Sequence, residues 1–229
     1  MHTGLLGCFI ERRRRIAALC SDSGPVPLLP GPKLALHMIP VVNEVMSPNI
    51  SIGDVEDFQC FGSDQTCRKT YDAAGVYVAD YGNGIAFGGY TYITRRGVVE
   101  AVTARFCHPP LWEANSLVAP ARLVHRVVLK GVREYLNLIR PHGISHEIVV
   151  GVTLIGSRGV CLGTGGHRVE SEVHPFSNDL LAFEPVLIDG NGELDSVLRP
   201  VFDQLWNAGG WDRCRDYRTD GTVDQGRQA

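Results

Sequence analysis

The order of apolar patterns along the chain predicts an α+β fold, with one mostly antiparallel sheet that carries a long helix and a C-terminal helix. Three observations predict it. Strand-like patterns recur from Leu34 to Phe106; one long helical stripe follows over Ala121 to Ile139; and the remainder reads as hairpin, strand and helix, without the regular βα alternation of a parallel sheet. A chain of 229 residues with 44% hydrophobic content can bury one continuous core. The expected organisation is an N-terminal helix and Pro-rich linker over 1–32, a single α+β domain over 33–211, and a polar, flexible tail over 212–229.

The formal net charge of -3 gives no global attraction to nucleic acid or to an anionic membrane, so any basic site must be local. The seven cysteines, at 8, 20, 60, 67, 107, 161 and 214, are odd in number and include no Cys-x-x-Cys pair. They read as reduced thiols of a cytoplasmic protein. Met1 to Ile10 is mildly apolar, but its charges, Glu11-Arg-Arg-Arg-Arg15, follow the apolar run, and no small-residue cleavage site comes next. That order excludes a signal peptide. With no run of about 18 apolar residues, no membrane span is expected.

Phe9 to Leu19 is expected to be a short helix whose four arginines form a solvated face, with a nucleic-acid patch as the sharper alternative. Ser21 to Pro32 holds four prolines and two glycines, which suits a linker or a strap along a sheet edge. Lys33 to Pro40 is a buried strand in form, and its His37 is expected to be a packed core residue and not a ligand. Val41 to Thr70 loses periodicity and is expected to be a long surface loop. Within it, Cys60 and Cys67 lack a second ligand pair at zinc spacing and read as free thiols.

From Ala74 to Phe106 the residues alternate in an antiparallel meander: Val76 to Ala79, Ile85 to Thr94 and Val98 to Phe106. Arg96-Gly97 supplies a tight turn between the last two. In the third run, Val98, Glu100, Val102, Ala104 and Phe106 share one face, and Val99, Ala101, Thr103 and Arg105 the other. The sheet is therefore expected to have one apolar and one mixed face.

On the long helix, Val124, Val128, Val132, Leu136 and Ile139 form a sheet-facing stripe. Arg122, Arg126, Lys130 and Arg133 form a basic ridge with few acids to offset it. Such a ridge is most simply solubilising; the four residues are also the candidate nucleic-acid contacts. Glu147 to Leu154 and Val160 to Leu162 read as a hairpin turning at Gly156 to Gly159, and Leu180 to Ile188 as a last strand. Gly163-Thr-Gly-Gly166 is glycine-rich but opens onto no helix whose amides could cradle a phosphate.

The stretch Leu198 to Trp211 reads as a docking helix closed by Gly209-Gly210. Val201, Phe202, Leu205 and Trp206 gather on one side, and Trp211 is expected to turn back toward it, so Phe202, Trp206 and Trp211 are the structural or interface residues. No catalytic or metal-binding residue is assigned. The only adjacent nucleophile and base, Cys107 and His108, are sequence neighbours whose side chains diverge if that segment is extended.

Leu198-Arg-Pro200, Phe202-Asp203, Trp206-Asn-Ala208, Gly210-Trp211, Arg213 and Tyr217 followed by Asp220-Gly221 resemble the closing segment of bacterial Schlafen-like, AlbA-type ATP-binding or DNA-binding domain proteins. Pro25-Val-Pro-Leu28, Gly31-Pro-Lys-Leu34 with His37, and the Tyr92 to Ala101 hairpin resemble the downstream half of the same family. These matches are short and scattered, but they touch most of the chain. In that family the ATP- or nucleic-acid-binding module lies upstream of the matched region, and no segment here aligns with it. The resemblance thus implies no ATP site, cofactor or catalytic residue in this chain. It implies an accessory domain whose partner is an upstream ATP-binding domain or another protein. The Met1 to Gly7 start, the Cys60 to Cys67 loop and the tail after Tyr217 depart from the family pattern, leaving a truncated gene and a stand-alone copy both open. The expected function is a non-catalytic interaction domain of a regulatory or defence protein, with a nucleic-acid-contacting module as the alternative.

Overall fold

A computed structural model describes residues 2–41, 50–51, 53, 55, 57–63, 67–80, 85–108, 117–144, 147–164, 174–190 and 192–217. The Pro109-Pro110 segment, Gly165-Gly166 and the tail beyond Tyr217 lie outside these, as does Val42 to Pro48 of the expected surface loop.

The α+β class follows as the patterns predict. Helix α1 (His2–Cys20) precedes strand β1 (Lys33–Pro40); then come β2 (Cys67–Tyr71), β3 (Gly75–Asp80), β4 (Gly89–Thr94) and β5 (Val99–Thr103). Strand β6 (Leu117–Pro120) leads into α2 (Ala121–Ile139), followed by β7 (Ile148–Ile155), β8 (Val160–Gly163), β9 (Leu180–Ala182), β10 (Val186–Ile188) and α3 (Leu194–Ala208). The main sheet has the order β10-β7-β1-β5-β4-β3-β2, with β9 also on β7, and all its pairings are antiparallel. The turn at Arg96-Gly97 joins β4 to β5 as expected, closed by the Gly97 N–H on the Thr94 carbonyl at 2.9 Å.

Period-two alternation sorts the strands between two layers. Leu34, Leu36 and Met38 of β1, Ile148, Val150, Val152 and Leu154 of β7, and Val99 and Ala101 of β5 join the large cluster with the α2 and α3 residues Val128, Val132, Leu136, Phe202 and Trp206. Ala35, Ile39, Val102, Val149 and Ile155 point the other way, where Cys8 and Leu19 of α1 meet them in two smaller clusters. The sheet is therefore covered on both faces over β1, β5 and β7, and Glu100, on the α1 side, is buried.

Three local expectations are corrected. β7 and β8 do not form a hairpin, because β7 already has β1 along one edge and β9 and β10 along the other. With no edge free, β8 leaves the main sheet and pairs in parallel with β6. The single strand expected over Leu180 to Ile188 is broken in two at Phe183-Glu184-Pro185, where proline lacks the ladder donor. The expected surface loop ends in the edge strand β2, and Ile50, Val55, Cys60 and Phe61 within it are buried. The Pro-rich segment is a strap: Phe87 donates to the Pro27 carbonyl at 2.9 Å, and Leu29 donates to that of Phe87 at 2.8 Å.

Candidate functional site

The inward side of α1 is set by Leu5, Cys8, Arg12, Ile16 and Leu19, a stripe at helical spacing with a cation in its middle. Arg12 is only 6% exposed. Its Nη2 donates to the Val152 carbonyl at 2.9 Å and to Thr153 Oγ1 at 3.1 Å. Gly151 makes this possible, since a Cβ there would fall 2.3 Å from Arg12 Nε. Burial lowers the pKa of this guanidinium below the ordinary arginine value. The four arginines are thus not one solvated face: Arg13 and Arg14 are exposed, while Arg12 and Arg15 turn toward the sheet.

Arg15 carries the helix onto a buried polar network. Its Nε donates to Glu11 Oε1 at 2.8 Å and its Nη1 to Glu100 Oε2 at 3.4 Å. Glu100 also accepts the Tyr90 hydroxyl on Oε1 at 2.7 Å and faces His37 Nε2 from Oε2 at 3.2 Å. Burial pushes the Glu100 carboxyl up, but the hydrogen bond and charge of His37, with Arg15 and Tyr90, outweigh it and hold the group below the usual carboxylate value. Burial drives fully enclosed His37 below its usual value, against the pull of Glu100. His37 is a hydrogen-bonded core residue.

Beside this network a cleft of about 930 Å³ opens between α1 and the β4–β5 end of the sheet, lined in part by Arg14, Arg15, Asp72, Tyr92, Arg95 and Arg96. Tyr92 donates to both carboxylate oxygens of Asp72, at 3.0 and 3.1 Å. On the outward side of α1, Leu6, Phe9 and Ile10 fall at i, i+3 and i+4 and are 59%, 42% and 60% exposed. This is an apolar stripe facing solvent on a helix that is anchored by its opposite side.

The basic ridge is not the unopposed row that its sequence suggests. Arg122 lies 3.6 Å from Asp216, Lys130 3.9 Å from Glu134 and Arg133 3.9 Å from Asp195. Two of these acids come from α3 and the segment after it, far away in sequence. Arg126 is exposed and, with Lys130 and Glu134, borders a cavity of about 300 Å³ beneath Gln59 to Ser63.

At the other end of α2 the C-terminal segment is clamped. Trp206 and Trp211 are 2% and 8% exposed and meet edge to face at 6.0 Å. Gly210, at φ 88°, takes the left-handed conformation that turns the chain back, and the Trp211 N–H donates to the Trp206 carbonyl at 3.0 Å. Arg215 stacks on the Trp211 ring at 3.8 Å. The expectation of a flexible tail from residue 212 is corrected as far as Tyr217: Cys214 and Tyr217 are 1% and 3% exposed, and the Cys214 N–H donates to Asp203 Oδ1 at 2.8 Å.

The same segment surrounds His125, which lies 3.9 Å from the Phe202 ring centre. Its Nδ1 is 3.2 Å from Asp216 Oδ2, and its Nε2 is 3.0 Å from the Tyr217 hydroxyl. His125, Cys214 and Asp216 bring their donor atoms within 4.8 Å of one another, the arrangement among the described residues that offers a metal three ligands. The sequence conceals this group, because His125 sits 91 residues from Asp216 and matches no ligand spacing.

The other sequence candidates are dispersed. Burial pushes the Cys107 thiol up to about 12, far from the thiolate a nucleophile requires, and His108 beside it is exposed. Cys60 and Cys67 lie next to each other with their side chains in hydrogen-bond contact, both thiols pushed up by burial. Among the described residues no helix is long and apolar enough to cross a membrane. Comparison of the chain with protein-family models, with curated proteins and with solved structures gives no match.

Proposed function

We propose that this chain is a cytoplasmic, non-catalytic interaction domain that docks a partner protein domain through the outer side of α1. The observation that carries this reading is the exposed stripe of Leu6, Phe9 and Ile10 on a helix held rigidly from below by Arg12 and Arg15. Burying large apolar side chains at the centre of an interface is what gives docking its energy. The resemblance to Schlafen-like proteins agrees in direction, since their ATP-binding module lies upstream and α1 is the element of this chain nearest to it in sequence. ATP, on this reading, belongs to the partner. The nucleic-acid alternative is weakened by the ion pairs that offset Arg122, Lys130 and Arg133.

Coexpression with the product of the reading frame immediately upstream tests the proposal. The two products are expected to co-elute on size exclusion, and Leu6→Ser/Phe9→Ser/Ile10→Ser is expected to abolish co-elution while leaving the melting temperature of the isolated domain unchanged. Co-elution that survives the triple substitution would place the interface elsewhere.

A further inference from the structure

We infer that His125, Cys214 and Asp216 form a three-ligand site for a borderline-soft divalent cation of the zinc class, which fastens the C-terminal segment to α2. The inference starts from a count of protons. The Tyr217 hydroxyl has one, and it is donated to the backbone carbonyl of Asp195 at 3.0 Å, a group that can only accept. Toward His125 Nε2, also at 3.0 Å, the same hydroxyl can then only accept, so Nε2 carries the ring hydrogen. In the neutral ring this leaves the Nδ1 lone pair aimed at a carboxylate oxygen, Asp216 Oδ2, 3.2 Å away. Two electron-rich atoms at this distance in a part-buried place repel each other unless a positive charge lies between them. Arg122 does not fill that role, because it approaches the other oxygen, Oδ1, at 3.6 Å.

The thiol of Cys214 makes a metal ion the candidate for that charge. The three donor atoms all lie within 4.8 Å of one another, against about 3.3–3.6 Å between ligands sharing one tetrahedral zinc. The nitrogen-to-oxygen separation of 3.2 Å already matches. Imidazole, thiolate and carboxylate are the ligand types that such an ion takes, and three protein ligands leave a fourth position for water. Tyr217 supplies the outer hydrogen bond that metal-binding imidazoles require on their other nitrogen. Binding is to the thiolate, so the metal releases the Cys214 proton to solvent.

Titration of the chelator-stripped chain with Co²⁺ and then Zn²⁺ tests the assignment. The expected result is a thiolate-to-cobalt charge-transfer band with tetrahedral visible bands, bleached by zinc, and a melting temperature that rises with zinc. Cys214→Ser is expected to lose the charge-transfer band. Tyr217→Phe, which leaves all three ligands in place, is expected to weaken metal affinity about 10–100-fold. Should Cys214→Ser not fold, X-ray absorption of the zinc-loaded parent chain replaces it, with one sulfur ligand at about 2.3 Å as the expected result and a sulfur-free shell as the overturning one. No cobalt band and a zinc-independent melting temperature in the parent chain would overturn the site. A band that persists in both Cys214→Ser and His125→Gln would also overturn it, by assigning the metal to other thiols.

Discussion

The two faces of one sheet are covered by opposite chemistries. Toward α2 and α3 the contact is apolar, with Val128, Val132, Phe202, Leu205 and Trp206 packed on Leu36, Val150 and Val152. Toward α1 two small apolar clusters are joined by buried charge, with Arg12 and Arg15 lying on backbone carbonyl, threonine, glutamate and, through Glu100, histidine and tyrosine. The first kind of contact draws its energy from area removed from water and tolerates small changes of orientation. The second contributes little net stability but is costly when one partner is lost, and so holds α1 at one height and rotation. A helix fixed in this way can present Leu6, Phe9 and Ile10 to a partner while Cys8, Ile16 and Leu19 on its inner side stay buried against the sheet.

This contrast orders the tests. The largest effect belongs to the apolar face: Trp206→Ala is expected to cost about 3–5 kcal/mol, as truncation of a buried aromatic does, and to lower the melting temperature sharply or abolish soluble expression. If that variant melts like the parent but loses a partner, the tryptophan is an interface anchor and the clamp is misassigned.

On the charged face, Glu100→Gln keeps the shape and an acceptor for Tyr90 but leaves Arg15 without its buried anion. A loss of about 1–3 kcal/mol is expected in denaturant titration, the range for a buried polar group deprived of its partner. An unchanged midpoint would show that the α1 layer is loosely held.

Acid should separate the two faces further. His37 is depressed below its unfolded value of about 6.5, so the unfolded chain takes up its proton first, and stability falls as pH drops below that value. Glu100 is depressed as well; its contribution is present above the unfolded carboxylate value of about 4.3 and is lost as pH falls through the lower folded value. Both act in the same direction. Melting temperature plotted against pH is therefore expected to fall between pH 7 and 4, and His37→Gln should flatten its upper part. An identical curve for that variant would remove His37 from the account.

The smallest effect concerns the ridge. Arg122→Gln/Arg126→Gln/Lys130→Gln is expected to change stability by no more than about 1 kcal/mol, because exposed pairs contribute little. Duplex binding at low salt that disappears in this triple variant would revive the nucleic-acid reading.

The sequence by itself determined what is periodic over a few residues. The alternation in β1, β4 and β5, the stripe from Val124 to Ile139, the turn at Arg96-Gly97 and the apolar side of α3 all follow from spacing that one helical or extended geometry turns to one side. Only the tertiary structure decided which segment meets which. β8 chose β6 because both edges of β7 were taken, a fact of competition among distant strands. Arg12 lies on a buried stripe, yet a pattern scored by hydrophobicity breaks at a cation, and its acceptors, a backbone carbonyl and a threonine 140 and 141 residues away, leave no complementary mark nearby. The ridge lost its apparent excess of charge, and His125 gained Asp216 and Cys214, for the same physical reason: electrostatic and ligand geometry act across space within a few ångströms, and the residues that satisfy them are brought there by the fold of the whole chain.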